Sequence, residues 1–173
     1  MKLALVYDRV NKFGGAEQVL LGMHEVWKSA PLFTAFYSKT DASWADRFEV
    51  KASFANRLPF ASRHHELYPW LAPSAFESFS FDGYDCVLSV TSAEAKSVIT
   101  KPDTCHICYC LTPTRYLWSG YEQYKNHPGL GNFGSIASGV LTTFLPTLRH
   151  WDKISSARPD FYIAISNLVK RRI

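Results

Sequence analysis

A chain of 173 residues, 47% hydrophobic and 15% aromatic, holds one domain with a sizeable core. That excludes a disordered chain and two domains of ordinary size. The formal net charge of +4 is unevenly spread: residues 1–100 carry ten basic and eleven acidic side chains, residues 101–173 nine and four.

The basic excess of the last segment suits an anionic partner, such as a diphosphate, an anionic lipid surface or a nucleic acid, or serves only as a solubilising surface. No apolar run approaches the roughly 20 residues that cross a bilayer. The N-terminus enters a strand pattern directly, without the signature of a secretory leader, so a cytoplasmic chain is expected.

Leu3 to Tyr7 is a continuous apolar run, as in a strand covered on both faces. A loop from Asp8 to Phe13 leads to Gly14-Gly15-Ala16-Glu17. From Ala16 the apolar positions Val19, Leu20, Met23, Val26 and Trp27 recur at helical spacing, and Pro31 marks the end. Leu32 to Tyr37 reads as a second strand, which completes a βαβ unit. Residues 54–84 are aromatic-rich but broken by Pro59, Pro69 and Pro73, which predicts short helices and turns.

Asp85 to Val90 is the next buried strand. Thr91 or Ser92 offers an N-cap oxygen, and Glu94 would complement the dipole of a helix starting there. His106 to Cys110 is a further strand. Asn126 to Ser138, rich in glycine and polar residues, reads as a mobile loop. Gly139 to Trp151 reads as a helix bent at Pro146. Phe161 to Ile165 is a last strand, with Ser166 capping the helix that follows. Alternating strands and helices specify an α/β fold, a Rossmann-like parallel sheet flanked by helices, as one domain over residues 1–173. Ligands of such sheets bind at the carboxyl ends of the strands.

Four constellations could carry chemistry. Gly14 and Gly15, between a strand and a helix, fit either a phosphate cradle or a plain turn. Cys110-Leu111-Thr112-Pro113-Thr114-Arg115-Tyr116-Leu117-Trp118 leaves a strand and presents Thr112, Arg115 and Tyr116 at the ligand edge. Arg115 would pair with a phosphate or with a structural carboxylate such as Asp152. In Arg149-His150-Trp151-Asp152 with Arg158-Pro159-Asp160, Arg149 three residues from Asp152, and Asp160 just before a buried strand, look like ion pairs that fix the last strand.

His64-His65-Glu66 is ill suited to a shared metal, because adjacent residues point in different directions. The flanking Arg57, Arg63, Phe54, Leu58 and Phe60 form either a membrane-touching segment or a solvated helix face. Cys105-His106-Ile107-Cys108 contains a CxxC, but Cys108 and Cys110 alternate onto one strand face, which favours free core thiols over zinc or redox chemistry. GxSxG, GxxxxGK[ST] and HExxH are absent from the sequence.

Gly-Gly-Ala-Glu after the first strand, Tyr84-Asp-Cys-Val-Leu-Ser, His106-Ile-Cys-Tyr-Cys-Leu-Thr-Pro-Thr-Arg-Tyr-Leu-Trp and Asp160-Phe-Tyr-Ile-Ala-Ile-Ser-Asn-Leu-Val-Lys-Arg-Arg-Ile resemble, in order, the N-terminal domain of retaining glycosyltransferases of family 4. The resemblance implies a GT-B architecture, with an acceptor-binding N-terminal domain here and a donor-binding C-terminal domain absent from this chain. It implies a hexosyltransferase working in polysaccharide or lipopolysaccharide biosynthesis. The donor would be a GDP- or UDP-linked nucleotide sugar, and the acceptor a saccharide or lipid-linked saccharide.

Gly14 and Gly15 would lie against the donor phosphate or sugar, and Thr112, Arg115 and Tyr116 would line the acceptor side. The resemblance implies no metal, no other cofactor and no nucleic acid, and allows peripheral contact with the inner face of a membrane. Family members commonly place a histidine where Leu111 stands. The chain is therefore expected to bind rather than catalyse by itself. The alternatives are a non-catalytic sugar- or nucleotide-binding module and a GT-B nucleotide-sugar epimerase.

Overall fold

The computed structural model describes residues 1–126 and 134–173. Strands β1 (Leu3–Val10), β2 (Leu32–Tyr37), β3 (Val50–Ala52), β4 (Cys86–Thr91), β5 (Cys105–Cys110) and β6 (Phe161–Ala164) form one parallel sheet in the order β3-β2-β1-β4-β5-β6. Helices α1 (Gly15–Val26), α2 (Ala72–Glu77), α3 (Tyr121–Asn126), α4 (Gly134–Ser155) and α5 (Asn167–Lys170) accompany it. The expected Rossmann-like α/β arrangement is present. The chain runs outward from β1 to β3, returns to the centre at β4 and runs outward again, so the order reverses between β1 and β4.

The apolar runs explain the layering. In β1, Leu3, Leu5 and Tyr7 meet Leu20 of α1 on one face, while Ala4 and Val6 meet Phe76 of α2 on the other. All six residues of β4 are buried. In β5 the burial alternates, with His106, Cys108 and Cys110 inward, and Cys108 and Cys110 share a cluster with Val169 of α5. All four cysteines are free thiols, as the alternation suggested. The edge strand β6 exposes Phe161 and Ile163. Ser166 caps α5 by accepting from Val169 N–H at 3.2 Å.

Several boundaries differ from the sequence reading. β1 continues past Tyr7 through Asp8 and Arg9, because its backbone still pairs with β2 as far as Val10 and Tyr37. β3 has only three residues, too few for a periodicity to show. α4 starts at Gly134 and runs 22 residues with Pro146 inside it. Of the span Asn126 to Ser138 expected as a loop, Asn126 closes α3 and 134–138 open α4, and residues 127–133 lie outside the described residues.

The helix expected after β4 is a single 3-10 turn, Ala95–Ser97. Thr91 gives its hydroxyl to Asp8 at 2.6 Å, and the Asp8 carboxylate also accepts from the N–H groups of Ser92 and Ala95, both at 2.8 Å. The Asp8 carboxylate on β1 thus shares the capping with the expected local side chain, Thr91, whose Oγ1 accepts from Ala93 N–H at 2.9 Å, and Glu94 is drawn inward. No helix among the described residues is long and apolar enough to cross a membrane.

Candidate functional site

The carboxyl ends of β1 and β4, where the strand order reverses, gather an unusual concentration of buried charge. Arg9 Nη2 lies 2.9 Å from Glu94 Oε2, and the Glu94 side chain is only 6% exposed. Tyr116, arriving from the segment after β5, donates its hydroxyl to the other oxygen of Glu94. Burial, and then the Glu94 charge, push the Tyr116 hydroxyl well above its ordinary pKa. Burial works against the Arg9 charge, but Glu94 and Asp8 more than restore it, so Arg9 stays protonated. At the start of α1, Glu17 is 1% exposed and accepts from the Tyr7 hydroxyl at 2.5 Å. Burial and that bond raise the Tyr7 pKa.

Two cavities adjoin this cluster, and Asp8 and Arg9 line both. The first, of about 300 Å³, lies at the start of α1 and is walled by Lys12, Gly14, Gly15, Glu17 and Ser92. A β-carbon added to Gly15 would meet nothing within 4 Å, whereas one on Gly14 would come 3.2 Å from Glu17 Oε2. The backbone of Gly14 is extended, so its lack of a side chain serves close approach to Glu17 rather than a special conformation. α1 begins without a side-chain cap, which suits an anion at its N-terminus. The buried Glu17 opposes that preference, and Arg9 and Lys12 favour it.

The second cavity, of about 110 Å³, is more enclosed. Phe36, His65, Glu66, Tyr68, Tyr116 and Leu141 contribute to its wall. Burial, followed by the charges of Arg9, Lys12 and His64, holds the His65 pKa well below its ordinary value, so its imidazole is neutral near pH 7.

The sequence-derived site residues therefore separate. Gly14 and Gly15 line the first cavity and Tyr116 the second. Thr112 lines a third, of about 530 Å³, with Lys96, Trp118 and Asp152. Its buried hydroxyl has no hydrogen-bond partner among the described residues. Arg115 is exposed and lines none of these three cavities; its carbonyl accepts from the N–H groups of Trp118 and Gly120. Leu111 packs against the core that lies under α1.

The suggested pairing of Arg115 with Asp152 is not formed, because Lys96, Thr114 and Trp118 occupy that carboxylate. Arg149 does not pair with Asp152 either: it donates to the Leu117 carbonyl at 2.7 Å and lies over the rings of Trp118 and Tyr121. Asp160 does steady the last strands, by accepting from His106 N–H at 2.7 Å, and Arg158 pairs with Glu77 on α2.

Arg9 and Glu94 were not singled out as site residues from the sequence, and His64-His65-Glu66 was weighed there only for a shared metal, to which it is ill suited. The available signal was polar residues at strand ends, Asp8-Arg9 after Tyr7 and Glu94 after Thr91. No protein-family model, curated protein or solved structure matches the chain.

Proposed function

We propose that this chain is the acceptor-binding N-terminal domain of a GT-B, retaining glycosyltransferase that moves a sugar from a nucleotide-sugar donor to a saccharide or lipid-linked acceptor. The observation that carries the reading is the pair of cavities sharing Asp8 and Arg9 at the carboxyl edge of the sheet. One has a glycine-lined helix start with space for a diphosphate or sugar; the other is a smaller, aromatic-walled pocket for the acceptor end. Tyr116 belongs to the acceptor side. Thr112 and Arg115 lie outside it, so neither is assigned acceptor contact.

Two measurements test this. The reading frame beyond Ile173 should encode a second Rossmann-like domain; a frame that stops there sinks the transferase reading. In the protein carrying that domain, Gly15→Val is expected to lower turnover at least tenfold with an unchanged circular-dichroism spectrum, since its β-carbon would enter space in which no described residue comes within 4 Å. Unchanged turnover would remove the cradle role. Leu111, packed into the core without a polar atom, favours as second reading a sugar-binding module without catalysis.

Membrane contact belongs to the same reading. Phe60 is 73% exposed and sits at φ 59°, a left-handed conformation that costs a non-glycine residue roughly 1–2 kcal/mol. Phe54 is also exposed, with Arg57 between them in sequence. An exposed aromatic held at a conformational cost, beside a basic residue, suits insertion at an anionic lipid surface. Cosedimentation with phosphatidylglycerol vesicles is expected for the native chain and lost in Phe60→Asp; equal binding by both would remove the contact.

A further inference from the structure

Cys86 and Cys105 stand opposite each other on neighbouring strands, as the first residues of β4 and β5. Adjacent strands of a sheet lie roughly 4.7–4.9 Å apart. Register partners on them therefore fall within the span of roughly 4.4–6.8 Å between Cα atoms that a disulfide bridges. Both side chains leave the sheet on one face. Cys86 belongs to the core under α1, and Ile107 and Tyr109, two and four residues beyond Cys105, pack against the same cluster. The Cys86 thiol is in hydrogen-bond contact with that of Cys105, and both are free.

Geometry disfavours the other pairings. Cys105 and Cys108, the two ends of the CxxC, are an odd number of residues apart and face opposite sides of β5. Cys108 and Cys110 share the far face, 0% and 4% exposed and packed with Val169. Two residues apart along one strand, their Cα atoms are roughly 6.4–6.8 Å from each other, at the outer limit of a disulfide's span. Access then orders the remaining pair. Of the four cysteines, Cys105 alone is not buried. Burial, and then the adjacent Cys105 thiol, raise the Cys86 pKa, which makes Cys86 the poorer first attacker.

We propose that Cys86 and Cys105 form a thiol–disulfide modification site, which a small disulfide such as oxidised glutathione closes and a dithiol reopens. Cys105 loses its proton to water, and its thiolate attacks one sulfur of the oxidised glutathione. One glutathione thiolate leaves, and a mixed disulfide remains on Cys105. Cys86, deprotonated in turn, attacks the Cys105 sulfur, expels the second glutathione thiolate and closes the bond between the strands. Two protein thiols are oxidised, and one glutathione disulfide is reduced to two glutathiones, which take up the two protons. The pair lies at the amino ends of β4 and β5, away from the cavities at the carboxyl edge, so it stands independently of the transferase reading.

The test is to incubate the 173-residue chain with oxidised glutathione, quench with acid, and follow it by intact mass and peptic peptide mapping. The native chain is expected to lose two hydrogens, with Cys86 linked to Cys105 in at least half of the molecules and no glutathione retained. Dithiothreitol should restore the original mass. Cys86→Ala cannot close the bond and should hold glutathione on Cys105, at least fivefold more than the native chain does. Cys105→Ser should carry no glutathione on Cys86 after the same time. Circular dichroism checks that both variants fold, and mapping of the native chain decides the pairing even where a substitution disturbs folding.

A lasting glutathione adduct on Cys105 of the native chain, a bond from Cys105 to Cys108 or Cys110, or four unmodified thiols after incubation would each overturn the proposal. So would equal retention of glutathione by the native chain and a folded Cys86→Ala. An adduct on Cys86 of Cys105→Ser would overturn the role of Cys105 as the entry thiol.

Discussion

Asp152→Ala is expected to cost about 3–5 kcal/mol of folding stability, a large share of the roughly 5–15 kcal/mol that a native domain has to lose. Asp152 is 6% exposed and accepts from Lys96 Nζ at 2.6 Å, Thr114 Oγ1 at 2.7 Å and Trp118 Nε1 at 2.8 Å. Lys96, 7% exposed, gives further bonds to the Ala93 carbonyl and Thr114 at 2.7 and 2.9 Å. The network joins the turn after β4, the segment after β5 and α4.

Alanine leaves an ammonium in the interior with no counter-charge, and the penalty comes from that orphan rather than from the net worth of the pair. The double variant Lys96→Met/Asp152→Leu removes both charges and should recover most of the loss. Urea unfolding followed by circular dichroism measures all three proteins. A loss under 1 kcal/mol for Asp152→Ala, or a double variant as weak as the single one, would show that the pair is not buried as described.

The second large effect is a loss of stability in mild acid. His106 is fully buried in β5, with Nε2 2.9 Å from Ser89 Oγ and with Nδ1 unpartnered among the described residues. Burial lowers its pKa from 6.5 to about 4, against the pull of Asp160 and with a smaller push from Arg158. The unfolded chain therefore takes up the proton first. The stability contribution is fully present above about pH 6.5 and is lost as the pH falls toward 4, by about 3 kcal/mol in all.

His65, whose pKa is also lowered, acts in the same direction. Carboxylates add their own slope, so the informative quantity is native protein minus His106→Gln, compared at pH 7 and pH 4.5 by urea unfolding. Glutamine can keep a bond to Ser89 and cannot be protonated, so the variant should lose less over that interval. Identical slopes would mean that His106 titrates normally in the folded state.

The same residues show how far the sequence could be read. Leu32–Tyr37 was legible to the residue, because a continuous apolar run bounded by proline has few other uses. Cys108 and Cys110 were legible as a face, from a period of two. Gly15 was legible as the junction of strand and helix, a local pattern. Arg115 was misplaced because a polar side chain next to a strand end can turn either into the crevice or out to water, and local spacing does not choose. Lys96 as the partner of Asp152 was missed for another reason: 56 residues separate the two.

Taken alone, then, the sequence determined the class of fold, the positions of most strands and the edge of the sheet at which a site was to be sought, since each follows from periodicity and turn chemistry over a few residues. The tertiary structure decided which polar groups meet there. Asp8 caps a turn more than eighty residues away, Arg9 pairs with Glu94, and Tyr116 joins them from beyond β5. Buried polar groups must find partners wherever the packed sheet brings them, and that requirement acts through space rather than along the chain.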